Sequence, residues 1–292
     1  MNDVKIKLKK ITEIWNNLFF ESKFLQSKIR FTTDIKTNYY GDILYYFNDT
    51  LDLVATNDDT ENFQKNIFYV IGLLQIIYVH QDLIDELLYI FKLNDSRKED
   101  KDPNRAIRNE LVGHPISRDK NGVLKSSVIF DGDASGDEVS YLKYHYDKDF
   151  EVKSINHSIN EIIDRHTNFL NMYLDKILSK IHKILPVYLS AIVDLENFPN
   201  NDENFEKYLS LLEYRLGIVL ESNFVFEKEV ILSCHEKINE HARYKFVIDL
   251  FHLKVVEALD DRRKYVESII FGDEFKNNIT YPIPSPFRRR MS

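Results

Sequence analysis

Residues 102–115 read DPNRAIRNELVGHP, and signals at both ends of this stretch bound a short helix. Asp102 is the N-cap and Pro103 takes the first helical position, where its missing N–H costs nothing. Gly113 is the expected left-handed cap and Pro115 forbids re-entry, so the helix spans about 103–112. The chain changes character across it. The first hundred residues contain no proline and only Gly41 and Gly72. They predict helices at about 4–28, 36–54 and 62–93, the last opened by Asp58, Asp59 and Thr60. That third helix is apolar on nearly every face, as a central helix is. Beyond the motif, Gly113, Gly122, Gly132 and Gly136 make up half of the eight glycines. Around them lie three β-type runs, SSVIF at 126–130, VSYLKYHY at 139–146 and FEVKSI at 150–155, which predict a small antiparallel meander at about 123–155.

From Asn156 the helical pattern resumes to about 195, with Pro186 as a break or kink. ENFPNNDEN, residues 196–204, is the candidate linker, and helices at about 203–220 and 224–271 follow it. The expected organisation is therefore mainly α. A helical bundle with an inserted β meander occupies 1–195, a C-terminal helical region 203–272, and a disordered tail, ending YPIPSPFRRRMS, 273–292.

Composition narrows the classes further. Eight glycines and seven prolines in 292 residues are under half of average usage, which disfavours sheet-rich folds, Rossmann domains and P-loops. The single cysteine, Cys234, excludes an internal disulfide framework and a cysteine-based zinc site and fits a reducing cytoplasm. The longest apolar run, IFYVIGLLQIIYV at 67–79, is interrupted by Gln75 and falls short of the roughly 20 residues of a bilayer span. MNDVKIKLKK lacks a signal peptide's apolar stretch, so a cytoplasmic protein without membrane contact is expected. A net charge of −8 leaves any nucleic-acid role to a local patch.

The chemistry lies in RNELVGHP, residues 108–115. On a helical wheel Ala106, Ile107 and Leu111 form the buried side, while Arg105, Arg108, Asn109 and Val112 share the other. His114 lies just past the helix end, where its ring can turn toward Arg108. An arginine, an amide and a histidine are what metal-free RNA cleavage needs. Imidazole titrates near neutrality and moves the protons, and a guanidinium matches phosphate oxygens. Requiring asparagine directly after the arginine lowers the chance expectation for such a spacing from about 1.2 to about 0.1 in a chain of this composition.

RNELVGH resembles the R-x4-6-H pattern, with a polar residue after the arginine, of HEPN domains. These are α-helical bundles, many of them metal-independent endoribonucleases of toxin–antitoxin, abortive-infection and CRISPR-associated systems. The resemblance covers about residues 1–185. It implies that Arg108, Asn109 and His114 are the catalytic triplet, that two protomers pair so that both motifs line one cleft, that no metal or other cofactor is required, and that RNA is the substrate, with an antitoxin or defence-system protein as a further partner.

Between Arg97 and Lys125 eight basic residues face five acidic ones, a net of +3 in an acidic chain, and Arg105, Arg118 and Lys120 are the candidate RNA contacts. The competing expectation is that Arg108 pairs with Glu110 or Asp82 and His114 is a loop residue, in a non-catalytic interaction or nucleotide-binding module. DGDASGDE, residues 131–138, resembles the start of an EF-hand loop, but Leu142 stands where the bidentate glutamate belongs, so an acidic hairpin turn is expected. The other histidines have no ligand spacing.

Overall fold

The computed structural model describes residues 1–32, 39–55, 63–93, 102–130, 138–146, 152–198, 204–220 and 226–272. The chain is mainly helical, with one small antiparallel sheet. Helices α1 (Asn2–Ile14), α2 (Lys23–Lys28), α3 (Tyr40–Ala55), α4 (Phe63–Ile90) and α5 (Pro103–Arg108) precede strands β1 (Ile116–Arg118), β2 (Leu124–Ile129), β3 (Glu138–His145) and β4 (Val152–Ser158). Helices α6 (Ile159–Glu196), α7 (Phe205–Val219), α8 (Lys228–Glu236) and α9 (Ala242–Phe271) follow. Two compact units result. The first comprises 1–20 and 26–180, the second 21–25 and 181–292. The division falls at Lys180–Ile181, inside α6, upstream of the expected linker.

Several boundaries differ from expectation. The first expected helix is interrupted after α1, where a π-helical turn at Trp15–Phe19 leads to a turn at 20–21 before α2. Pro186 neither ends nor divides α6. The final expected helix is two, separated at 237–241. The meander has four strands in the order β1-β2-β3-β4; the missed strand, Ile116–Arg118, has three residues, too few for an alternation to register. The expected tail, the EF-hand-like residues 131–137 and the Asp58–Thr60 cap lie outside the described residues.

In the first unit α1 buries Val4, Leu8, Ile11 and Ile14 at helical spacing. Helix α4 buries Val70, Leu73, Leu74, Ile77, Ile84, Leu87, Leu88 and Ile90. By length and composition α4 is apolar enough to cross a membrane, although its uninterrupted runs are short; here its buried face forms core. One core cluster joins α4 to the motif helix and the sheet through Leu73, Leu74, Ile77, Ile107, Leu111, Val139, Tyr141, Ile159 and Ile162. Strand β3 thus turns Val139 and Tyr141 onto the helices, and the opposite strand parity faces away.

The same unit holds a buried histidine pair. His80 and His166 are 0% and 1% exposed, and their rings stack with His80 Nδ1 3.0 Å from His166 Nε2. Thr50 donates its hydroxyl proton to Tyr46 O at 2.7 Å, so its oxygen accepts from His80 Nε2 at 2.8 Å. His80 Nδ1 is then the bare nitrogen and accepts from His166 Nε2. Burial favours the neutral form of both rings. Burial lowers the His80 pKa to about 4, and burial followed by the His80 charge lowers that of His166.

In the second unit α7 buries Phe205, Leu209, Leu212 and Leu216, α8 buries Ile231 and Cys234, and α9 buries Ile248, Val255, Leu259 and Val266. Phe205 stacks on His235. Tyr188 donates to Val219 O at 2.6 Å, tying the end of α6 to that of α7.

Candidate active site

The motif helix begins as its sequence dictates. Asp102 accepts from the N–H groups of Asn104 (2.9 Å) and Arg105 (3.1 Å) and from Gln81 Nε2 (2.9 Å), with Pro103 in the first turn. The buried side is not the expected one, because Ala106 is exposed and Asn104 is buried in its stead. Asn104 is tolerated there because both ends of its amide are used: it donates to Ile162 O at 2.9 Å and accepts from Arg165 Nε at 3.1 Å. Ile107 and Leu111 are buried as expected, which leaves Arg108 and Asn109 off the core face.

The helix does not end at a left-handed glycine. Among the described glycines only Gly122 and Gly272 have positive φ. After Arg108 the chain makes a π-helical turn, Asn109–Gly113, closed by the His114 N–H on Asn109 O at 2.8 Å. The backbone leaves helical space only at His114 (φ −141°, ψ 57°), where Pro115 disfavours helix. Glycine at 113 instead leaves room for the Arg108 side chain. A Cβ there would lie 2.9 Å from Arg108 Nη1 and 3.6 Å from Asn109 Oδ1, so the bare backbone is a wall for the guanidinium.

Arg108 is held by neutral groups. It donates from Nε (3.2 Å) and Nη2 (3.0 Å) to Gln75 Oε1, and from Nη1 (3.2 Å) to Asn109 Oδ1. Its Cζ lies 4.3 Å from the centre of the Tyr78 ring. Neither expected acid pairs with it. Glu110 accepts from Tyr141 Oη at 2.9 Å and from the Lys143 ammonium, and Asp82 accepts from Arg105 at 3.2 Å. Among the described residues the Arg108 charge therefore has no carboxylate partner, and two of its five N–H donors are left over. Arg105 differs. Its side chain is 11% exposed, stacks on the same Tyr78 ring at 4.3 Å and has its charge met by Asp82.

His114 is exposed, and its imidazole has no hydrogen-bond partner among the described residues, Arg108 included. The structure thus brings Arg108 and Asn109 into contact and leaves the histidine ring exposed to solvent, hydrogen-bonded to neither. Arg118, on β1, is exposed and donates to Gly122 O at 2.9 Å; Lys120, in the following turn, is exposed. Two residues of the site escaped the sequence reading, Gln75 and Tyr78. The signal was the polar residue in the otherwise apolar run at 67–79: Gln75 stands three residues before Tyr78 and seven before Asp82, on one face of α4.

Next to the motif, Tyr141 lies under the sheet with its hydroxyl on Glu110. Burial, then that hydrogen bond, raises its pKa, so it stays a donor. His157 Nε2 lies 3.5 Å from the same hydroxyl, with its pKa lowered by burial first and by the Arg165 charge second. Among the described residues no three His, Cys, Asp or Glu side chains are grouped as metal ligands. No family model, curated protein or solved structure matches the chain.

Proposed function

We propose that this chain is a HEPN-type endoribonuclease that cleaves RNA without a metal, in the manner of toxin or anti-phage effectors, and works as a homodimer with two motifs lining one cleft. The observation that carries the proposal is the Arg108 guanidinium, fixed by Gln75, Asn109 and Tyr78 with no carboxylate on it among the described residues, six residues before the exposed His114 in the chain. A phosphate is the ligand such a cation best accepts, since its charge is not already satisfied.

The step is an internal transfer. One imidazole of the cleft takes the proton of the 2′-hydroxyl, the 2′-oxygen forms a bond to phosphorus, and the bond from phosphorus to the 5′-oxygen breaks. The leaving oxygen takes a proton from an imidazolium, and the products are a 2′,3′-cyclic phosphate and a 5′-hydroxyl. His114 supplies the proton transfers, Arg108 stabilises the added negative charge on the phosphorane, and Asn109 keeps Arg108 aimed. Arg118 and Lys120 are exposed cations available to flanking phosphates, whereas Arg105 supports Tyr78 from within.

The experiment compares wild type, His114→Ala and Arg108→Lys on a labelled single-stranded RNA in the presence of a chelator. Both variants are expected to lose about a hundredfold or more in rate, His114→Ala through loss of a general acid–base group and Arg108→Lys through loss of the guanidinium that stabilises the phosphorane. Their melting temperatures are expected to stay near wild type. Cleavage at the wild-type rate by His114→Ala would refute the assignment. Binding of RNA or nucleotides with no turnover by wild type would turn the site into a phosphate-binding one.

A further inference from the structure

The sheet carries a charge pattern that the motif alone does not explain. Directly paired residues point the same way, as do residues two apart on one strand. Ser127 pairs with Lys143 and Ile129 with Tyr141; Lys143 pairs with Lys153 and Tyr141 with Ile155. These residues, with Lys125 on β2, share the parity of Val139 and Tyr141 and so lie on the side of the sheet that carries the motif helix. All three lysines of the described strands, Lys125, Lys143 and Lys153, are on that side. The one acid of these strands, Glu138, has the opposite parity, and so does Arg118, whose Nη1 is on Gly122 O.

The pairing of Lys143 with Lys153 is costly as it stands, since like charges directly opposite on a sheet repel. Glu110 of the motif turn meets Lys143. Lys153 is exposed, and half-buried Lys125 has no charged partner among the described residues. The row also begins at the motif. Ser127 donates its N–H to Pro115 O at 2.7 Å, so a line across the strands runs from Pro115, next to His114, through Ser127 and Lys143 to Lys153. With strands about 4.8 Å apart, the two lysines stand about 10 and about 14 Å from Pro115 along this line. At the ~3.4 Å rise of a stacked strand that is the span of three to four nucleotides.

The side chains around the row fit a phosphate chain better than a protein. Protein interfaces have apolar centres and are depleted in lysine, whereas here Val139 and Tyr141 are buried under the helices and lysines are what remains. Tyr141 is the only Phe, Tyr or Trp of the strands with this parity, so no exposed ring of theirs offers a base a stacking platform there. We propose that Lys125, Lys143 and Lys153 form a track for the RNA backbone flanking the scissile phosphate, holding it by charge without reading bases. The proposal rests on the nuclease reading for its ligand and adds where that ligand runs.

The test measures anisotropy of a labelled decanucleotide RNA on the full chain carrying His114→Ala, which keeps the RNA uncut. Adding Lys125→Gln and Lys153→Gln, with Lys143 left on Glu110, is expected to lower affinity about twentyfold in about 0.1 M salt. The slope of log affinity against log salt is expected to fall by about 1.4, two contacts at about 0.7 each. Lys125→Arg with Lys153→Arg is expected to keep both values, which separates charge from packing. On chains that retain His114, the ratio of kcat/KM for the decanucleotide to that for a dinucleotide is expected to fall about tenfold in the glutamine variant, because a dinucleotide is too short to reach the row. An unchanged salt slope would overturn the proposal and leave the row to an acidic protein; if such a variant still cuts RNA in a His114-dependent way, the chemistry stands and only the track falls. Equal losses on both substrates would overturn it too, by showing that the lysines act through the fold of the motif. A wild type that cuts no RNA yet binds it with the lysine-dependent slope would keep the track and remove the nuclease reading.

Discussion

Replacing Gly113 by alanine separates the positioning of Arg108 from the stability of the fold. The new Cβ would stand 2.9 Å from Arg108 Nη1 and 3.7 Å from its Cζ. Ordinary contact begins near 3.4 Å, so the guanidinium has to retreat by about half an ångström. The backbone at 113 is not left-handed, so alanine introduces no φ strain, and loss of chain entropy in the unfolded state favours it by up to about 1 kcal/mol. Against this, the retreat loosens one of the hydrogen bonds to Gln75 or Asn109, a net cost of about 1 kcal/mol. Stability is therefore expected to change by less than about 1 kcal/mol in a urea titration. The rate responds differently. A misplacement of about 1 Å costs about a hundredfold, so half of it is expected to cost about tenfold, measured as single-turnover cleavage of a labelled RNA with enzyme in excess. A stable Gly113→Ala that cuts as fast as wild type would refute the claim that the seat of Arg108 matters. An unfolded variant would refute the reading of Gly113 as a space requirement alone.

Gln75→Glu places a carboxylate where the amide now accepts from Arg108, and the ion pair is expected to lower RNA affinity at low salt and reduce the slope of log affinity against log salt by about 0.7; an unchanged slope would mean that this arginine meets no phosphate. The buried histidines make stability pH-dependent. The His80 pKa is lowered by folding, from 6.5 to about 4, so the unfolded chain binds the extra proton first. The associated stability is complete above about pH 6.5 and is lost as pH falls toward 4, with about 2 kcal/mol gone at pH 5 from His80 alone. Urea titrations at pH 7.5 and pH 5 check this, and the loss is expected to shrink in His80→Gln.

What could be read in advance follows the range of the forces involved. Helices α3, α6 and α7 were legible because their apolar periodicity is local, α4 because a long, nearly unbroken apolar stretch without proline is, and the Asp102–Pro103 start because a cap and a proline act on adjacent residues. The interruption after α1 was not, since nothing in WNNLFF marks a π-helical turn. Pro186 misled for a related reason: proline removes one N–H and crowds one carbonyl, and α6 buries Ile181, Ile184, Leu185, Tyr188 and Ile192 on both sides of it, enough packing to carry the helix through. The buried Asn104 was invisible because its partners, Ile162 and Arg165, come from α6, far along the chain.

At the motif, Arg108 and Asn109 were identified as neighbours from spacing, but the pairing that decides the chemistry is tertiary. A basic helix end near Glu110 and Asp82 reads as an ion pair when only sequence distance is known. Folding assigns those acids elsewhere: the sheet brings Tyr141 and Lys143 to Glu110, and Arg105 takes Asp82, so that the remaining cation is met by amides. The difference matters because an amide accepts hydrogen bonds without cancelling charge. An arginine on a carboxylate must give up that partner to take a phosphate, and much of the gain is lost in the exchange. Arg108 gives up nothing: Gln75 and Asn109 hold it in place while its charge and two N–H groups remain for an anion. The polar break at Gln75 in an apolar helix is thus where the sequence encodes the electrostatics of the site, and the glycine five residues after Arg108 is where it encodes the space.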